Sequence, residues 1–502
     1  MKNLRKYKKL IIRGGLLGLI LVNTTSCKKN LLTPDIISSI PDVASFDTPE
    51  RILAQVNGLY SAMKSGSFYG GRFIIYNEIR ADDFIMNKPN VVTGQQTWLQ
   101  SVNPGTSEVS SLWTAAYLTI NRVNTFLAGL EANKGKVSAT LYTNYAAEAR
   151  FLRALTYFAL VQTYAQPYAK NNGTSPGLPL RLIPEFTSEN SLLARSTVAQ
   201  VYTQILTDLN AAETGLPLNY GTASTPNVLS LNTTRASKNT AIALKTRVYL
   251  VMNNYPAVIT EAEKIVSATA PYSAPTGVAN RMEANIGTVF GGNYVGQEAV
   301  FSLPFTALET PGGQNQLAYY FNANPGNSEF YLNPAGIISD PTFSDASTDA
   351  RKGFVLTFAG QKWLSKFKVA STFSDHVPVI RYPDVLLNYA EALVRAGGVT
   401  NMPKAISLLQ AVRSRSNPGY IFAPASIATP DALIETILKE KRIEFFGEGF
   451  RVPDLQRLQL ALPGKISPSN PSPTVAPTEG RYIWPLPSSE TSINTAAEQN
   501  PS

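Results

Sequence analysis

The sequence carries a single cysteine and a single histidine in 502 residues. One cysteine forms no internal disulfide, and one histidine with one thiol cannot assemble a multi-histidine or cysteine-rich zinc site. Charge is sparse too: 16% of residues are charged, against 44% hydrophobic. That ratio supplies a sizeable core and excludes a self-solvating, disordered chain. The length fits one large domain or two closely packed ones. The 33 glycines and 34 prolines argue against a bare helical bundle, so helices joined by substantial irregular structure are expected.

The net charge is +9, from 44 Lys and Arg against 35 Asp and Glu. A basic chain suggests an acidic partner such as nucleic acid. Six of the cations, Lys2, Arg5, Lys6, Lys8, Lys9 and Arg13, lie in the first 26 residues, which hold no acid. Without that segment 38 cations face 35 acids, a balance of +3 that leaves no nucleic-acid footprint.

The same segment reads as a secretion signal over 1–26: a basic start, the apolar stretch Gly14 to Val22, then small polar residues up to Cys27. The stretch is too short for a membrane-spanning helix, which needs about 20 apolar residues. The lone cysteine falls where the signal ends, and Thr25-Ser26-Cys27 is similar to the box before a lipidated cysteine. Thr24 departs from it, since Leu is usual there. Acylation of Cys27 is expected, with a soluble secreted protein as the alternative; acyl chains contribute about 0.8 kcal/mol per buried methylene to membrane attachment. Residues 27–46, punctuated by Pro34 and Pro41, read as a tether.

The remaining chain, 47–502, reads as one helical scaffold with a loop-rich insertion at about 270–380. Thr48-Pro49-Glu50 opens a helix with a capping hydroxyl, Pro at the first position and an early acid. Ile52, Val56, Leu59, Tyr60 and Met63 recur at helical spacing and should face the core. Further helices are expected at about 107–131, 138–165, 197–214, 237–253, 256–269, 383–397, 402–415 and 430–448. Arg195-Ser196-Thr197 and Ala236-Ser237-Lys238 supply two caps. Short turns pair 237–253 with 256–269 and 383–397 with 402–415, in the manner of tetratricopeptide hairpins, although the spacing is irregular. Strand-like runs occur at Glu298 to Leu303 and Trp363 to Lys368. The insertion and the loop region from about 80 to 106 are the places to look for a site. Pro463 to Gly480 reads as mobile, and Arg481 to Pro487 as a docked terminal segment.

Several motifs together resemble the SusD/RagB family of outer-membrane lipoproteins. They are Trp113 with Tyr117, Ile120 and Asn124; Glu148 to Ala154 running on to Tyr157-Phe158; Gly177-Leu178-Pro179-Leu180; and Ala236-Ser237-Lys238 with Arg247 to Leu250. Ile380 to Ala392, Glu440 to Arg451 and Trp484-Pro485-Leu486-Pro487 follow in order. The resemblance spans nearly the whole chain after Cys27. It implies a mainly α fold of tetratricopeptide-like helix pairs with long loop-rich insertions and a few short strands. It also implies a non-enzymatic lipoprotein, anchored in the outer membrane and facing outward, that binds oligosaccharides or, in some members, peptides. A SusC-like TonB-dependent transporter is the implied partner, under a lid formed by this chain. Two departures stand out: no acids follow Cys27 directly, and Val452-Pro453 stands where an aromatic pair is common.

No catalytic residue, metal or cofactor is assigned. Glu440, Glu444 and Glu448 share one helix face and could serve acid/base chemistry, but Lys439, Lys441, Arg442 and Arg451 make an ion-pair network the simpler account. His376 has no neighbouring nucleophile and reads as a surface or loop residue. Gly291-Gly292 and Gly312-Gly313 lack the spacing of a phosphate cradle and read as turns.

A saccharide needs flat apolar faces and planar polar groups. Trp98, with Gln96 and its amide neighbours, has that composition; packing on the helix near Ser107 is the alternative. Tyr319 and Tyr320 among Gln314, Asn315, Gln316 and Asn322 form a second cluster, with packing in a long loop as the alternative. The resemblance places the glycan site near Arg80, Asp82 and Asp83, which could instead form a local salt bridge or cap. Trp113 and Trp484 read as core. The expected function is capture of a glycan for transport; a peptide binder, a secreted glycoside hydrolase and a helical scaffold for protein partners are the alternatives.

Overall fold

The computed structural model describes residues 44–222, 226–323, 327–369, 372–467 and 471–501. The expected signal segment 1–26, Cys27 and the tether up to residue 43 lie outside the described residues. In chain order the helices are α1 Pro49–Met63, α2 Arg72–Ile79, α3 Gln95–Trp98, α4 Ser107–Ala132, α5 Ala139–Tyr164, α6 Val198–Gly215, α7 Pro226–Thr234 and α8 Lys238–Val251. They continue with α9 Tyr255–Ile265, α10 Leu317–Phe321, α11 Tyr382–Gly397, α12 Met402–Ser416, α13 Pro430–Phe445, α14 Arg451–Arg457 and α15 Ser488–Thr491. Six short strands are described: β1 Phe84–Met86, β2 Ala299–Leu303, β3 Phe330–Leu332, β4 Val355–Phe358, β5 Gln361–Leu364 and β6 Val377–Arg381. They pair antiparallel as β1 with β3, β2 with β6 and β4 with β5. This is the expected mainly α architecture, with helix pairs, long loops and few strands.

Local chemistry accounts for the helix starts. The Thr48 hydroxyl accepts from the Arg51 amide at 3.3 Å, and Pro49 fills the first turn, where no amide partner is needed. Thr197 and Gln200 cap each other reciprocally, as do Ser237 and Thr240. Ile52, Val56, Leu59, Tyr60 and Met63 are all buried, as the spacing of α1 predicts.

Helix α5 is the central element: from Tyr145 to Tyr164 only Arg150 and Gln162 escape burial. A helix apolar on every side needs neighbours on every side, and α4, α6 and α1 pack around it. Helix α8 pairs with α9, and α11 packs on α12, α9 and α13. The two expected hairpins are therefore present. Helix α9 stops at Ile265 rather than 269. Helices α2, α3, α7, α10, α14 and α15 were not expected. In α2 every residue after Arg72 is buried, so no polar face marks the helical period. Between α13 and α14, Gly447 and Gly449 both take φ +83°, and a Cβ on Gly447 would run into the Leu364 side chain.

The segment expected to be mobile is partly built in. Leu462 pairs with Val475 and Lys465 with Ser472, and all four are buried. The terminal segment docks as expected: Tyr482, Ile483, Trp484 and Leu486 are buried, and the Trp484 amide donates to the Thr163 carbonyl at 2.9 Å.

Glu440 and Glu444 of α13, which ends at Phe445 rather than at 448, and Glu448 in the turn that follows sit in a buried ion network, with partners other than those expected. Glu440 meets Arg351 and Arg413; Glu444 meets Arg381, Arg415 and Arg351; Glu448 meets Lys366 and Arg381. Glu298 and Asp349 complete it, so that five acids face five cations. Lys439, Lys441, Arg442 and Arg451 point elsewhere, to Asp340, Asp454, Asp82 with Asp83, and Asp82. Helical geometry is the reason: residues four apart share a face, whereas neighbours in sequence diverge by about 100°. Burial alone would raise the Glu444 carboxyl, but Arg415, Arg381 and Arg351 hold it well below the usual range.

Candidate functional site

Four of the expected ligand residues are interior: Arg80, Asp83, Trp98 and Tyr320. Trp98 is 0% exposed, its indole N–H donates to the Phe84 carbonyl at 3.2 Å, and Lys465 lies over its ring. No face of the indole is open to a sugar in this structure, which corrects the stacking role expected of it. Arg80 donates to the Tyr482 carbonyl at 2.9 Å, and burial lowers its guanidinium to about 10. Asp83 is clamped by Arg442 and accepts from the Ile337 amide at 2.7 Å. Asp82, half-buried, pairs with Arg442 and Arg451 at 2.9 and 3.1 Å. The carboxylates of Asp82 and Asp83 are thus committed to Arg442 and Arg451, which lie far along the chain, so these ion pairs are not the local bridge that was the alternative. Gln96 is half-buried and accepts from the Thr106 hydroxyl at 2.6 Å.

His376 is also interior rather than on a surface. It is 3% exposed, and burial lowers the imidazole to about 4. Trp113 and Trp484 are core residues, at 3% and 1% exposed.

Tyr320 anchors α10 from within: it stacks on Phe330 and its hydroxyl donates to the Gln314 carbonyl at 2.8 Å. Its neighbour Tyr319 consequently turns outward and is half-buried. Phe373, also half-buried, meets Tyr319 edge to face with centroids 6.0 Å apart. Phe373 holds φ +49°, a left-handed conformation costly for a bulky side chain.

Beside this pair the loop after β1 is stapled to the segment before β3. The Asn87 side chain donates to the Ser328 carbonyl at 2.8 Å and Lys88 to the Asn327 carbonyl at 2.9 Å. The Asn327 amide in turn donates to the Tyr319 carbonyl at 2.8 Å. Underneath, buried Glu329 accepts from Asn327, Asn90 and Thr93, which fixes both strands of the clasp. Asn87 and Lys88 remain exposed. The result is a rigid edge that offers one outward aromatic pair with amide and ammonium donors next to it. Such an edge can stack on an apolar ring face and hydrogen-bond the groups around its rim.

Of these residues only Tyr319 was singled out by sequence. Asn87, Lys88, Asn327, Glu329 and Phe373 were missed, although the amide-rich composition of both loops marked the neighbourhoods. Among the described residues no group of His, Cys, Asp and Glu is arranged to hold a metal ion, and no helix is long and apolar enough to cross a membrane.

Comparison with known proteins agrees with the architecture. The model of the family described as "Starch-binding associating with outer membrane" matches residues 34–250, and that of the SusD family matches 252–502. SusD-like protein P38 of Formosa agariphila is 24% identical over 99% of both chains. A crystal structure of a SusD superfamily protein from Bacteroides fragilis superposes with a TM-score of 0.79 at 33% identity, covering 90% of this chain and 99% of that one. A laminarin-binding SusD-like protein superposes with a TM-score of 0.69 at 21% identity, covering 91% and 100%. Matched from residue 34 to its end by the two family models, and through most of its length by a solved member, this chain belongs to the SusD/RagB family.

Proposed function

We propose that this protein captures oligosaccharides at the outer membrane and passes them to a SusC-like TonB-dependent transporter. Residues 1–26 direct export, acylated Cys27 and the tether to residue 46 hold the chain on the membrane, and 47–502 bind the glycan. The observation that carries the binding step is the Tyr319–Phe373 edge with Asn87 and Lys88 beside it. A pyranose presents an apolar C–H face and a rim of hydroxyls, and this edge complements both. The family description as starch-binding and the laminarin-binding relative support a sugar as the ligand. The reading is non-catalytic: Glu440, Glu444 and Glu448 are neutralised by buried guanidinium and ammonium groups.

Titration calorimetry of residues 28–502 against oligosaccharides and peptides, followed by chromatography of each mixture, tests the reading. Saturable sugar binding without cleavage, weakened by Tyr319→Ala, is expected. Peptide-only binding would transfer the site to the peptide-binding alternative, and cleavage products would make the protein a hydrolase. Co-purification from detergent-solubilised membranes tests the transporter; a lone monomer would count against the complex.

A further inference from the structure

A second groove shares no residue with the Tyr319 edge. It lies between α4, the 181–187 segment and α15, with a volume of about 520 Å³. Its wall includes Trp113 and Tyr117, whose ring centroids are 4.6 Å apart, and its rim carries Phe186, 77% exposed. An aromatic this exposed usually marks a loose loop, but this segment is pinned. Asn121 bonds both the amide and the carbonyl of Glu185 at 2.8 Å. Asn124 donates to the Arg181 and Ile183 carbonyls at 3.0 and 3.1 Å.

The same groove is lined by a cluster of polar side chains. Arg181 pairs with Glu185 at 2.7 Å and approaches Glu490 at 3.5 Å, each side chain only 14–19% exposed. Glu490 is oriented from behind by the Trp113 indole at 3.3 Å and the Asn494 amide at 2.8 Å. Each carboxylate has more lone pairs than these partners use. A preformed cavity with one exposed ring and a few fixed polar groups has the composition of a small-molecule site. The ring fits the apolar face of a sugar, and the carboxylates and guanidinium fit its hydroxyls.

We propose that this groove is a second saccharide site, in which Phe186 stacks on a pyranose and Arg181, Glu185 and Glu490 take its hydroxyls. The inference rests on the reading of the protein as a glycan binder. Across Thr114 and Leu118 the groove adjoins a hydroxyl-lined trough of about 550 Å³ floored by Ser61, Ser65 and Ser111. A chain of several sugars therefore runs over the outer face of α4, and hexasaccharides bind this site more tightly than disaccharides.

The test is calorimetry of the full chain in detergent with maltohexaose and laminarihexaose, comparing wild type with Phe186→Ala, Phe186→Trp and Tyr319→Ala. Two classes of site are expected in the wild type. Phe186→Ala weakens one class at least tenfold and spares the other; Tyr319→Ala does the reverse. Phe186→Trp keeps its class, and its indole fluorescence shifts during titration. A single class abolished by Tyr319→Ala and unmoved by Phe186→Ala overturns the second site while leaving the glycan-binding reading intact. Unchanged sugar isotherms with lost transporter co-purification in Phe186→Ala also overturn it, making the ring a protein contact. No binding of either sugar by any form removes the reading on which both sites rest.

Discussion

Replacing Arg381 with Met should expose how much of the fold depends on the buried ion network. Arg381 is 1% exposed, and its guanidinium bonds Glu448 and Glu444 at 2.8 Å and also Glu298. The network balances five acids with five cations, so the substitution leaves one buried negative charge without a counterion. Breaking a buried pair from one side costs about 3–5 kcal/mol. Unfolding entropy of about 2.1 cal/mol/K per residue over about 450 residues gives roughly 1 kcal/mol per degree, so Tm should fall by about 3–5 °C. Glu444→Gln should cost a similar amount by leaving a surplus cation. The double variant restores neutrality and should be less destabilised than the sum of the two, by about 0.5–3 kcal/mol. Differential scanning calorimetry at pH 7 measures all four forms. A loss below 1 °C for Arg381→Met, or strict additivity in the cycle, would refute the reasoning. Lys439→Ala is the control: its Asp340 partner is 3.1 Å away but the lysine side chain is 59% exposed, so it should shift stability by no more than about 0.5 kcal/mol.

The two aromatics raised as ligand contacts should separate cleanly. Trp98→Ala removes a fully buried indole and should cost about 3–5 kcal/mol of stability, whereas Tyr319→Ala should weaken sugar binding about tenfold, roughly 1.4 kcal/mol, with little change in Tm. Lost binding at unchanged stability in Trp98→Ala would contradict the burial argument. His376 is held at about 4 by burial against an ordinary 6.5, so the unfolded chain takes up its proton first as pH falls. Its contribution is fully present above pH 6.5 and is lost toward pH 4, roughly 3 kcal/mol in all. His376→Gln should therefore show a flatter stability profile between those values in denaturant titrations, and an unchanged slope would sink the assignment. Cys27→Ala should move the protein from the membrane to the soluble fraction, and mass spectrometry of the wild-type N-terminal peptide should show an acylated cysteine; an unmodified thiol on a membrane-bound protein would exclude this anchor.

The helices most legible in the sequence were those whose burial leaves a pattern. Helix α1 exposes alternate faces, so Ile52, Val56 and Leu59 announce its core side, and Thr48 with Pro49 announces its start. The long helices α4 and α5 were placed to within a residue or two at each end. Helix α2 was invisible because Phe73 to Ile79 are all buried, which erases the contrast between faces. Helix α14 was hidden by Gly447 and Gly449: glycines normally end a helix, and nothing local shows that a second one begins directly after them.

The site was harder to read because exposure is a tertiary property. Trp98 and Tyr319 both sit among amides in segments that read as loops, and composition ranks Trp98 the better platform. What separates them is covering material supplied from far along the chain. Lys465, on the segment paired through Ser472, closes over Trp98, while Tyr320 fills the interior position on α10 and leaves Tyr319 to face outward. The partner ring Phe373 comes from yet another loop, and the clasp beneath them depends on Glu329, an acid that in sequence looks like any surface carboxylate. Phe186 follows the same logic in reverse. Its neighbours in sequence give no sign of rigidity, but Asn121 and Asn124 of α4 hold the backbone of Arg181, Ile183 and Glu185 just before it, so that its exposure becomes a property of the fold. Residue type therefore indicates which loops can bind a sugar, and only the long-range covering and clamping contacts decide which ring remains free to do so.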